Sequence, residues 1–474
     1  MPDLTRARWN WKYESLRRAR FNDAPALPRG PLRAYRRDPA CMGLQGKMTP
    51  PRGLVSWALY DWANSAFSAI ISTFVFAAYF TRHVASNEIE GTARWGYTIG
   101  MAGLVIAVAG PVLGAIADQT GGRKPWIAAF TLVCVIPTGL LWYVRPAPDY
   151  AGMALFLVGV ATVGVEIASI FYNAMLPDLA RAQTIGRWSG WGWGLGYAGG
   201  VASLVIALFV FIKGNDAFNL DHSTAEQVRA TFVLVAVWYA LFALPLFITC
   251  PDTARTGKGM TRALGDGLRQ LADTIRHARR HKPIIRFLIA RILFIDGLAT
   301  LFTFGGVYAA GTFDMPEQQV LTFGLALNIT AGIGAAGFAW VDDWLGSKTT
   351  IELSLVGLII AGGATLLVAS QTAFWALGLA LGIFVGPVQS ASRAYLARIA
   401  PVELRTQMFG LLALSGKATA FAGPILVGAV TDASGSQRMG MGVIIALFMA
   451  GLAVMLTVPE APQAPAHSPG DNAR

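Results

Sequence analysis

Charged side chains are scarce in this sequence, because Asp, Glu, Lys and Arg together make up only 14% of its 474 residues. Soluble domains usually carry about 25% charge. Histidine is rarer still, and its five copies lie in predicted loops, tails or a helix end: His83, His222, His277, His281 and His467. An embedded enzyme would need clustered His, Cys or carboxylates at metal-ligand or nucleophile spacing, and histidines in loops, tails or a helix end count against one. We therefore expect no metal site, and the chain is predicted not to be an enzyme.

Nucleotide-binding motifs are lacking as well. No GxxxxGK[ST] loop occurs, which counts against an ATP-driven pump. A literal GxGxxG is present at Gly194, Gly196 and Gly199, but no strand precedes it and no acidic residue follows it in a βαβ unit. Glycines at four-residue spacing instead favour close helix packing in lipid. No cofactor is expected.

Long apolar runs are what the sequence has in abundance, since 54% of its residues are hydrophobic. Runs of about 18 or more apolar residues are long enough to cross a bilayer as helices. Twelve such spans are predicted: 54-83, 95-118, 125-145, 150-173, 187-212, 230-249, 284-312, 319-341, 350-370, 372-397, 405-431 and 439-458. The break at Gln371 is the shortest. The predicted fold is an all-α membrane protein.

The distribution of Lys and Arg predicts the orientation, because basic residues near span ends stay on the cytoplasmic side. With both termini cytoplasmic, about 30 of the 38 basic residues lie on that side. The net charge of +11 then indicates attraction to anionic lipid headgroups rather than nucleic-acid binding. Cys41 and Cys250 fall on the cytoplasmic side and Cys134 within a helix, so no disulfide is expected. The expected location is a bacterial inner membrane.

Five regions follow from these spans. Residues 1-53 form a basic segment predicted to be disordered or to lie on lipid, and Met48 is an alternative start. Residues 54-249 and 284-458 form two six-helix bundles, and 459-474 form a disordered tail. The basic linker 250-283 places Leu264, Leu268, Leu271 and Ile275 at helical spacing. It predicts an amphipathic surface helix, with a calmodulin-type target as the alternative.

Two loops repeat a short pattern. "GAIADQTGGRKPW" follows the second span and "AWVDDWLGSKTT" the eighth, so that the chain has two parallel repeats. The first loop resembles the signature of the major facilitator superfamily, which implies two pseudo-symmetric bundles. The resemblance suggests a conformational latch that breaks when the halves rock. Its residues are Gly114, Asp118, Gly121, Arg123, Lys124, Asp343, Gly346 and Lys348.

Further segments narrow the resemblance. "SWALYDWANSAF", "FYNAMLPDLA", "GWGWGLGYAGG", "SRAYLARIAP" and "FGLLALSGKATAFAGPILVG" look like the vacuole-effluxer-like family of that superfamily. Its members include fungal vacuolar proteins implicated in exporting amino acids after autophagy and many bacterial proteins of unassigned substrate. The resemblance implies a secondary transporter and leaves the cargo open.

Charges inside predicted spans mark candidate sites, because an ion near the bilayer centre costs several kcal/mol. Asp61, Glu166 and Arg291 lie roughly seven residues, about 10 Å, from the cytoplasmic ends of their helices. Asp296 and Lys417 lie near the midplane. Polar stripes accompany them, and the resemblance places these helices around a central cavity. The remaining candidates on those helices are Asn64, Asn173, Gln389 and Arg393.

Two interpretations of these charges stay open. Asp61 with Arg291, and Asp296 with Lys417, match in depth and could be fixed ion pairs that only hold helices together. Three acids then face two bases, which leaves Glu166 as the preferred proton site and Asp296 as the second choice. Lys417 or Arg291 would suit a carboxylate on the substrate, and Asp61 or Asp296 an amino group.

The predicted function is a secondary active transporter of a small polar solute, an amino acid or peptide, working as a monomer by alternating access. A proton is the expected coupling ion and sodium the alternative. The competing hypothesis is a membrane receptor or membrane-embedded enzyme on the same scaffold. For the latter, the scattered histidines give no support.

Overall fold

The structure is a computed structural model that describes residues 51–212, 220–257, 259–276, 282–417 and 422–461. These residues belong to one compact unit, Thr49–Arg474. The predicted basic segment 1-53 and tail 459-474 lie outside the described residues except for 51–53 and 459–461.

In the described residues of the first half, 51–212 and 220–249, six long helices form the bundle. α1 begins as the α-helix Pro51–Ala66 and continues as the π-helix Phe67–Phe74. The short α-helix Phe76–Tyr79 and a second π-helical segment, Phe80–Val84, complete it. The others are α2 (Glu88–Thr120), α3 (Lys124–Leu140), α4 (Ala151–Leu179), α5 (Ile185–Ile206) and α6 (Glu226–Thr249). The linker that follows contains α7, Met260–Arg276.

The second half is also built from helices. It comprises α8 (Lys282–Phe313), α9 (Glu317–Leu345), α10 (Ser347–Leu367), α11 (Gln371–Ile399), α12 (Arg405–Lys417), α13 (Ala422–Ser434) and α14 (Gln437–Leu456). Among the described residues, eleven helices are long and apolar enough to cross a membrane. α12 and α13 occupy the eleventh predicted span, on either side of 418–421. The predicted all-α, multi-span fold is confirmed.

The predicted break at Gln371 is also present. α10 ends at Leu367, and the Ser370 side chain accepts a hydrogen bond from the backbone N–H of Ala373 at the start of α11. A serine in this position satisfies one of the N–H groups that a helix N-terminus leaves without a partner. Three residues are therefore enough to separate two spanning helices.

α1 departs from the regular geometry that the sequence pattern assumes. The predicted polar stripe from Asp61 to Ser72 requires about 3.6 residues per turn throughout. The helix widens after Ala66, and the Thr73 hydroxyl donates to the Ser68 carbonyl five residues earlier. The stripe therefore holds through Ser65, and the register shifts beyond it.

The two halves meet along two seams. α2 packs against α12, and α5 packs against α9. Because successive helices alternate in direction, the end of α2 and the starts of α12 and α5 lie at the same end of the bundle as α7. We call this end the linker side and the opposite end the far side.

The linker helix α7 crosses the α2–α12 seam. Gly267 lies against the backbone of α2, where an added Cβ would be 3.0 Å from the Ile116 nitrogen. The Gln119 amide of α2 donates to the Gln270 amide oxygen, and the Gln270 amide in turn donates to the Gln407 side-chain oxygen at 3.3 Å. α7 thus joins both halves through one side chain. Its amphipathic pattern leaves Leu264 and Leu268 exposed rather than buried against the bundle.

Candidate functional site: a closed gate and a polar path

Asp118, at the end of α2, caps the start of α12 in the other half. Its carboxylate oxygens accept backbone hydrogen bonds from Thr406 at 3.1 Å and Gln407 at 2.9 Å. A carboxylate is favoured here because the first N–H groups of a helix have no intrahelical acceptor and carry partial positive charge. The contact exists only while α2 and α12 are together on the linker side.

Arg123 strengthens the same seam. Its Nε donates to the Thr406 hydroxyl at 3.0 Å, and its guanidinium pairs with Asp178 at the end of α4. Asp178 also pairs with Arg405 of α12, so one carboxylate joins a base from each half. Sharing one acid between two arginines makes the contact sensitive to small separations of the halves.

The loop that presents Arg123 is held in shape by its neighbours. Gly121 has φ of 66°, which a side chain would strain, and an added Cβ would lie 2.1 Å from the Ala254 carbonyl oxygen. The Lys124 ammonium donates to the Cys250 carbonyl at 2.5 Å, and Asp252 accepts from the backbone N–H of Arg123 at 2.7 Å. Lys124 and Asp252 therefore fix the loop to the start of the linker that follows α6.

The α5–α9 seam contains a related arrangement. Asp343, near the end of α9, interacts with the backbone N–H of Arg187 in the first turn of α5. The adjacent Asp342 lies against Gly186, and both carboxylates pair with Arg398 of α11. Asp343 thus occupies, in the second half, the position equivalent to that of Asp118 in the first half, as the repeat predicts.

The repeat is incomplete at its basic residue. Gly346 follows the aspartates with φ of 91°, as Gly121 does in the first half. Lys348, which the sequence aligns with Arg123, lies 3.4 Å from Glu352 and 4.0 Å from Glu460, both in its own half. The described contacts therefore do not join Lys348 to the other half, because one acid partner lies on α10 itself and the other follows α14.

Glycines allow the seams to close tightly. A Cβ on Gly410 would lie 2.6 Å from the Gly110 carbonyl oxygen, and one on Gly114 would lie 2.7 Å from the Thr406 carbonyl oxygen. On the other seam, a Cβ on Gly190 would lie 2.6 Å from the Ala335 carbonyl oxygen. Backbones approach this closely only where side chains are absent.

Deeper in the bundle, Arg393 of α11 joins the two halves at one buried cluster. Its Nη1 donates to Asp61 of α1 at 2.8 Å and to the Asn173 side-chain oxygen of α4 at 3.1 Å. Its Nε and Nη2 donate to the hydroxyl and the backbone carbonyl of Ser189 in α5 at 2.9 and 2.6 Å. The guanidinium carbon also lies 4.9 Å from the Trp57 ring centre, where cation–π attraction adds to the binding.

This cluster corrects the depth-based pairing of Asp61 with Arg291. Arg291 instead donates from Nη1 to the Leu412 carbonyl at 2.7 Å and the Ser415 hydroxyl at 2.6 Å. Its Nε has no hydrogen-bond partner among the described residues. Glu166 of the first half acts on Arg291 electrostatically. Depth along a helix does not specify which side of the helix a residue occupies, and the pairing was wrong for that reason.

Asp296 is buried, with 4% of its surface exposed. One carboxylate oxygen accepts from the backbone N–H of Gly423, in the first turn of α13, at 3.0 Å. The other has no hydrogen-bond partner among the described residues. The proposed partner Lys417 is the last residue of α12, and its side chain lies outside the described part of the chain.

The remaining predicted site residues are Gln389 and Asn64. The Gln389 amide of α11 donates to the Tyr197 hydroxyl of α5 at 3.2 Å, which adds a contact between the halves above Arg393. Asn64 is half-buried one turn beyond Asp61 on α1. Of the predicted site residues, Asp61, Asn173 and Arg393 contact one another through hydrogen bonds.

Several residues of the gate were not predicted from the sequence. Ser189 both receives Arg393 and donates to the Ser390 carbonyl at 2.7 Å. Asp178, Arg405 and Arg398 carry the charge contacts at the two seams. Asp178 directly follows Pro177 near the end of α4, and Arg398 lies three residues before Pro401, which follows α11; these two prolines at equivalent places in the halves were the available signal.

Solved structures with this arrangement define the class of protein. The major facilitator superfamily proton:xylose symporter XylE, bound to 6-bromo-6-deoxy-D-glucose, superposes with a TM-score of 0.66 at 15% identity, over 86% of this chain and 96% of that one. The transporter FucP in the outward conformation gives 0.66 at 13% identity, over 86% and 99%. The chain has the major facilitator fold.

A match to a family model is more specific than the likeness of fold. The model for "Vacuole effluxer Atg22 like" matches residues 80–463, and the chain belongs to this family. The uncharacterized MFS-type transporter YxiO of Bacillus subtilis (strain 168) is 26% identical over 85% of this chain and 94% of its own length. Autophagy-related protein 22 of Coccidioides immitis (strain RS) is 22% identical over 88% and 80%. The predicted family is confirmed, and the match to this effluxer family together with the MFS-type relative shows a membrane transporter rather than an enzyme.

Proposed function

We propose that this protein is a secondary active transporter that moves an amino acid or a short peptide by alternating access. The Arg393 cluster supports this proposal most directly, because it joins α1, α4 and α5 of one half to α11 of the other through charged and polar contacts. Such contacts can be exchanged for water or substrate when the halves separate, whereas a continuous apolar core cannot.

The linker side is proposed to be cytoplasmic, from the excess of Lys and Arg there. The closed seams on that side then support an outward-facing state. Opening towards the cytoplasm must break the Asp118 cap, the Asp178 bridge and the Arg393 cluster. Each of these contacts crosses from one half to the other.

The cargo is proposed to be zwitterionic. Arg291 offers a guanidinium whose Nε has no hydrogen-bond partner among the described residues, which suits a substrate carboxylate. Glu166 lies in the opposite half within electrostatic range of Arg291, and Asp296 has an unpartnered carboxylate oxygen in the described structure. A substrate ammonium group is proposed to bind an acid while its carboxylate binds the base.

Glu166 is proposed as the proton-carrying group and Asp296 as the second choice. The support for Glu166 is now its interaction with Arg291 across the halves rather than the elimination of other acids. Protonation would remove that attraction and so favour separation of the halves, which couples the proton to the conformational change. Asp296 is held by Gly423 and would couple less directly.

A ligand screen tests the cargo class. Melting temperatures of the purified protein would be measured with amino acids, dipeptides and sugars, since a ligand that binds only the folded state raises the melting temperature. We expect a shift with an amino acid or dipeptide, and counterflow of the same compound in proteoliposomes. Stabilisation by sugars alone would contradict the zwitterion proposal, and binding without counterflow would favour the receptor alternative.

A further inference from the structure

A cleft lies on the outer surface of the α5–α9 seam, apart from the path between the halves. Its volume is about 440 Å³, and it is lined by Gln183, Arg187, Trp340, Val341, Asp343 and Trp344. Two of these residues come from the first half and four from the second. A ligand in the cleft would therefore contact both halves at once.

The cleft faces away from the path. On α5, Ser189 bonds to Ser390 of α11, and Gly192 lies against Asp61 of α1, so that face points into the bundle. With about 100° between successive residues of a helix, Arg187 and Trp191 lie on the opposite face. Trp191 is 40% exposed and Trp344 is 81% exposed. In a membrane this surface contacts lipid.

The depth of the cleft matches the headgroup region. Arg187 lies in the first turn of α5, and Trp344 lies in the last turn of α9, so both are at the ends of spanning helices. Tryptophan is enriched at this level because its ring is apolar while its N–H needs a polar partner. Trp340 and Trp344 provide two such rings beside one arginine.

The charge that the cleft presents to the membrane is positive. The Arg187 side chain is 43% exposed, whereas the Asp343 side chain behind it is 8% exposed. Arg187 Nε and Asp343 Oδ2 are 3.4 Å apart, yet neither atom makes a hydrogen bond in the described structure. Asp343 is also paired with Arg398. Because Nε is itself buried, a phosphate would reach the Nη groups at the exposed end of the arginine, while the carboxylate that lines the cleft, Asp343, is buried and does not face a headgroup ammonium.

We propose that this cleft binds the headgroup of an anionic phospholipid, with the phosphate on Arg187 and the glycerol and upper acyl region against Trp340 and Trp344. The planar guanidinium suits a phosphate diester because it offers paired N–H donors. Because Arg187 and the tryptophans belong to opposite halves, the bound lipid stabilises the closed linker side. The binding itself depends on the fold alone and not on the identity of the cargo.

Native mass spectrometry of the purified full chain tests this proposal. The first binding event would be titrated with phosphatidylglycerol, phosphatidylcholine and phosphatidylethanolamine of matched acyl chains, with inorganic phosphate as competitor. We expect phosphatidylglycerol to bind about tenfold more tightly than either zwitterionic lipid. Arg187→Gln should abolish the preference. Arg187→Lys, which keeps the charge without the planar guanidinium, should retain part of it and covers the case in which the glutamine variant does not fold.

Arg262→Gln is the matched control, because Arg262 is an exposed arginine of α7 on the same side of the membrane. It should leave the preference unchanged. Equal loss in both glutamine variants would show a diffuse charge effect and overturn the proposal. So would a preference that survives Arg187→Gln, equal binding of phosphatidylethanolamine, or displacement of the lipid by inorganic phosphate. None of these outcomes depends on whether the protein transports an amino acid.

Discussion

Arg393 of α11 and Asp61 of α1 form an ion pair between the halves, with 2.8 Å between Nη1 and Oδ2. The arginine is 4% exposed and is also held by Asn173 and Ser189. Because the guanidinium is shared among three helices of the first half, the pair acts as a gate and not as an open substrate ligand. Removing Asp61 would leave a buried cation with fewer acceptors.

Asp61→Asn should therefore open the linker side. A hydrogen bond to a charged group contributes about 1.5–3 kcal/mol, so the conformational equilibrium should shift by about tenfold or more. The readout is thiol labelling of the Ser390→Cys variant, because Ser390 is buried at the α5–α11 contact. Asp149→Asn, a substitution of an exposed residue on the far side, is the control. Unchanged labelling in Asp61→Asn would show that the pair does not hold the gate.

Gly410→Ala should disturb the α2–α12 seam, because the new Cβ would lie 2.6 Å from the Gly110 carbonyl oxygen. The two helices must separate to relieve the clash, so we expect greater accessibility on the linker side and slower transport. Gly100→Ala on α2 is the matched control, since no atom lies within 4 Å of its added Cβ. It should be neutral or stabilise the helix by up to about 1 kcal/mol. Similar behaviour of the two variants would contradict the close approach.

Asp118→Asn should weaken the cap on α12. The amide keeps one acceptor oxygen but loses the charge, so we expect a loss of about 1 kcal/mol in the closed state. Turnover in proteoliposomes should slow, with little change in the ligand concentration that half-saturates binding. Asp343→Asn provides the comparison on the other seam. A variant that folds but no longer binds ligand would place Asp118 in the binding site instead.

Cys250 should be unreactive at neutral pH. Burial raises the pKa of its thiol to about 11, and the Sγ donates to the Gly53 carbonyl at 3.0 Å. At pH 7, on the order of one thiol in ten thousand is then ionised, and only the thiolate reacts quickly. In a Cys41→Ser, Cys134→Ser background, maleimide labelling should be negligible at pH 7 and should rise only as the pH approaches 11. Rapid labelling at pH 7 would show that Cys250 is exposed.

The sequence was sufficient for the membrane fold, because spans of apolar residues and the Lys and Arg count do not depend on tertiary contacts. It was also sufficient to single out Asp118 and Asp343, whose loops repeat at equivalent positions. Both lie at the seams as the repeat requires. These features follow from chain order and helix periodicity alone.

The partner of Asp61 could not be obtained in the same way. Arg291 and Arg393 both lie on helices of the second half, and only helix rotation and packing decide which one reaches α1. The widening of α1 after Ala66 changes that rotation further. Lys348 shows the same limit, since its acid partner Glu460 lies beyond the last helix, more than 100 residues away in sequence.

Uptake driven by a pH gradient is the most direct test of proton-coupled transport. Proteoliposomes would be loaded with buffer and given an inward proton gradient, and accumulation of the amino acid or peptide from the ligand screen would be measured. We expect accumulation by the wild type and by Glu90→Gln, since Glu90 is the half-buried pair partner of the exposed Arg94 on the far side. Glu166→Gln should lose accumulation but keep exchange of substrate for substrate. Accumulation that is the same with and without the gradient, or unchanged in Glu166→Gln, would contradict the proposed coupling.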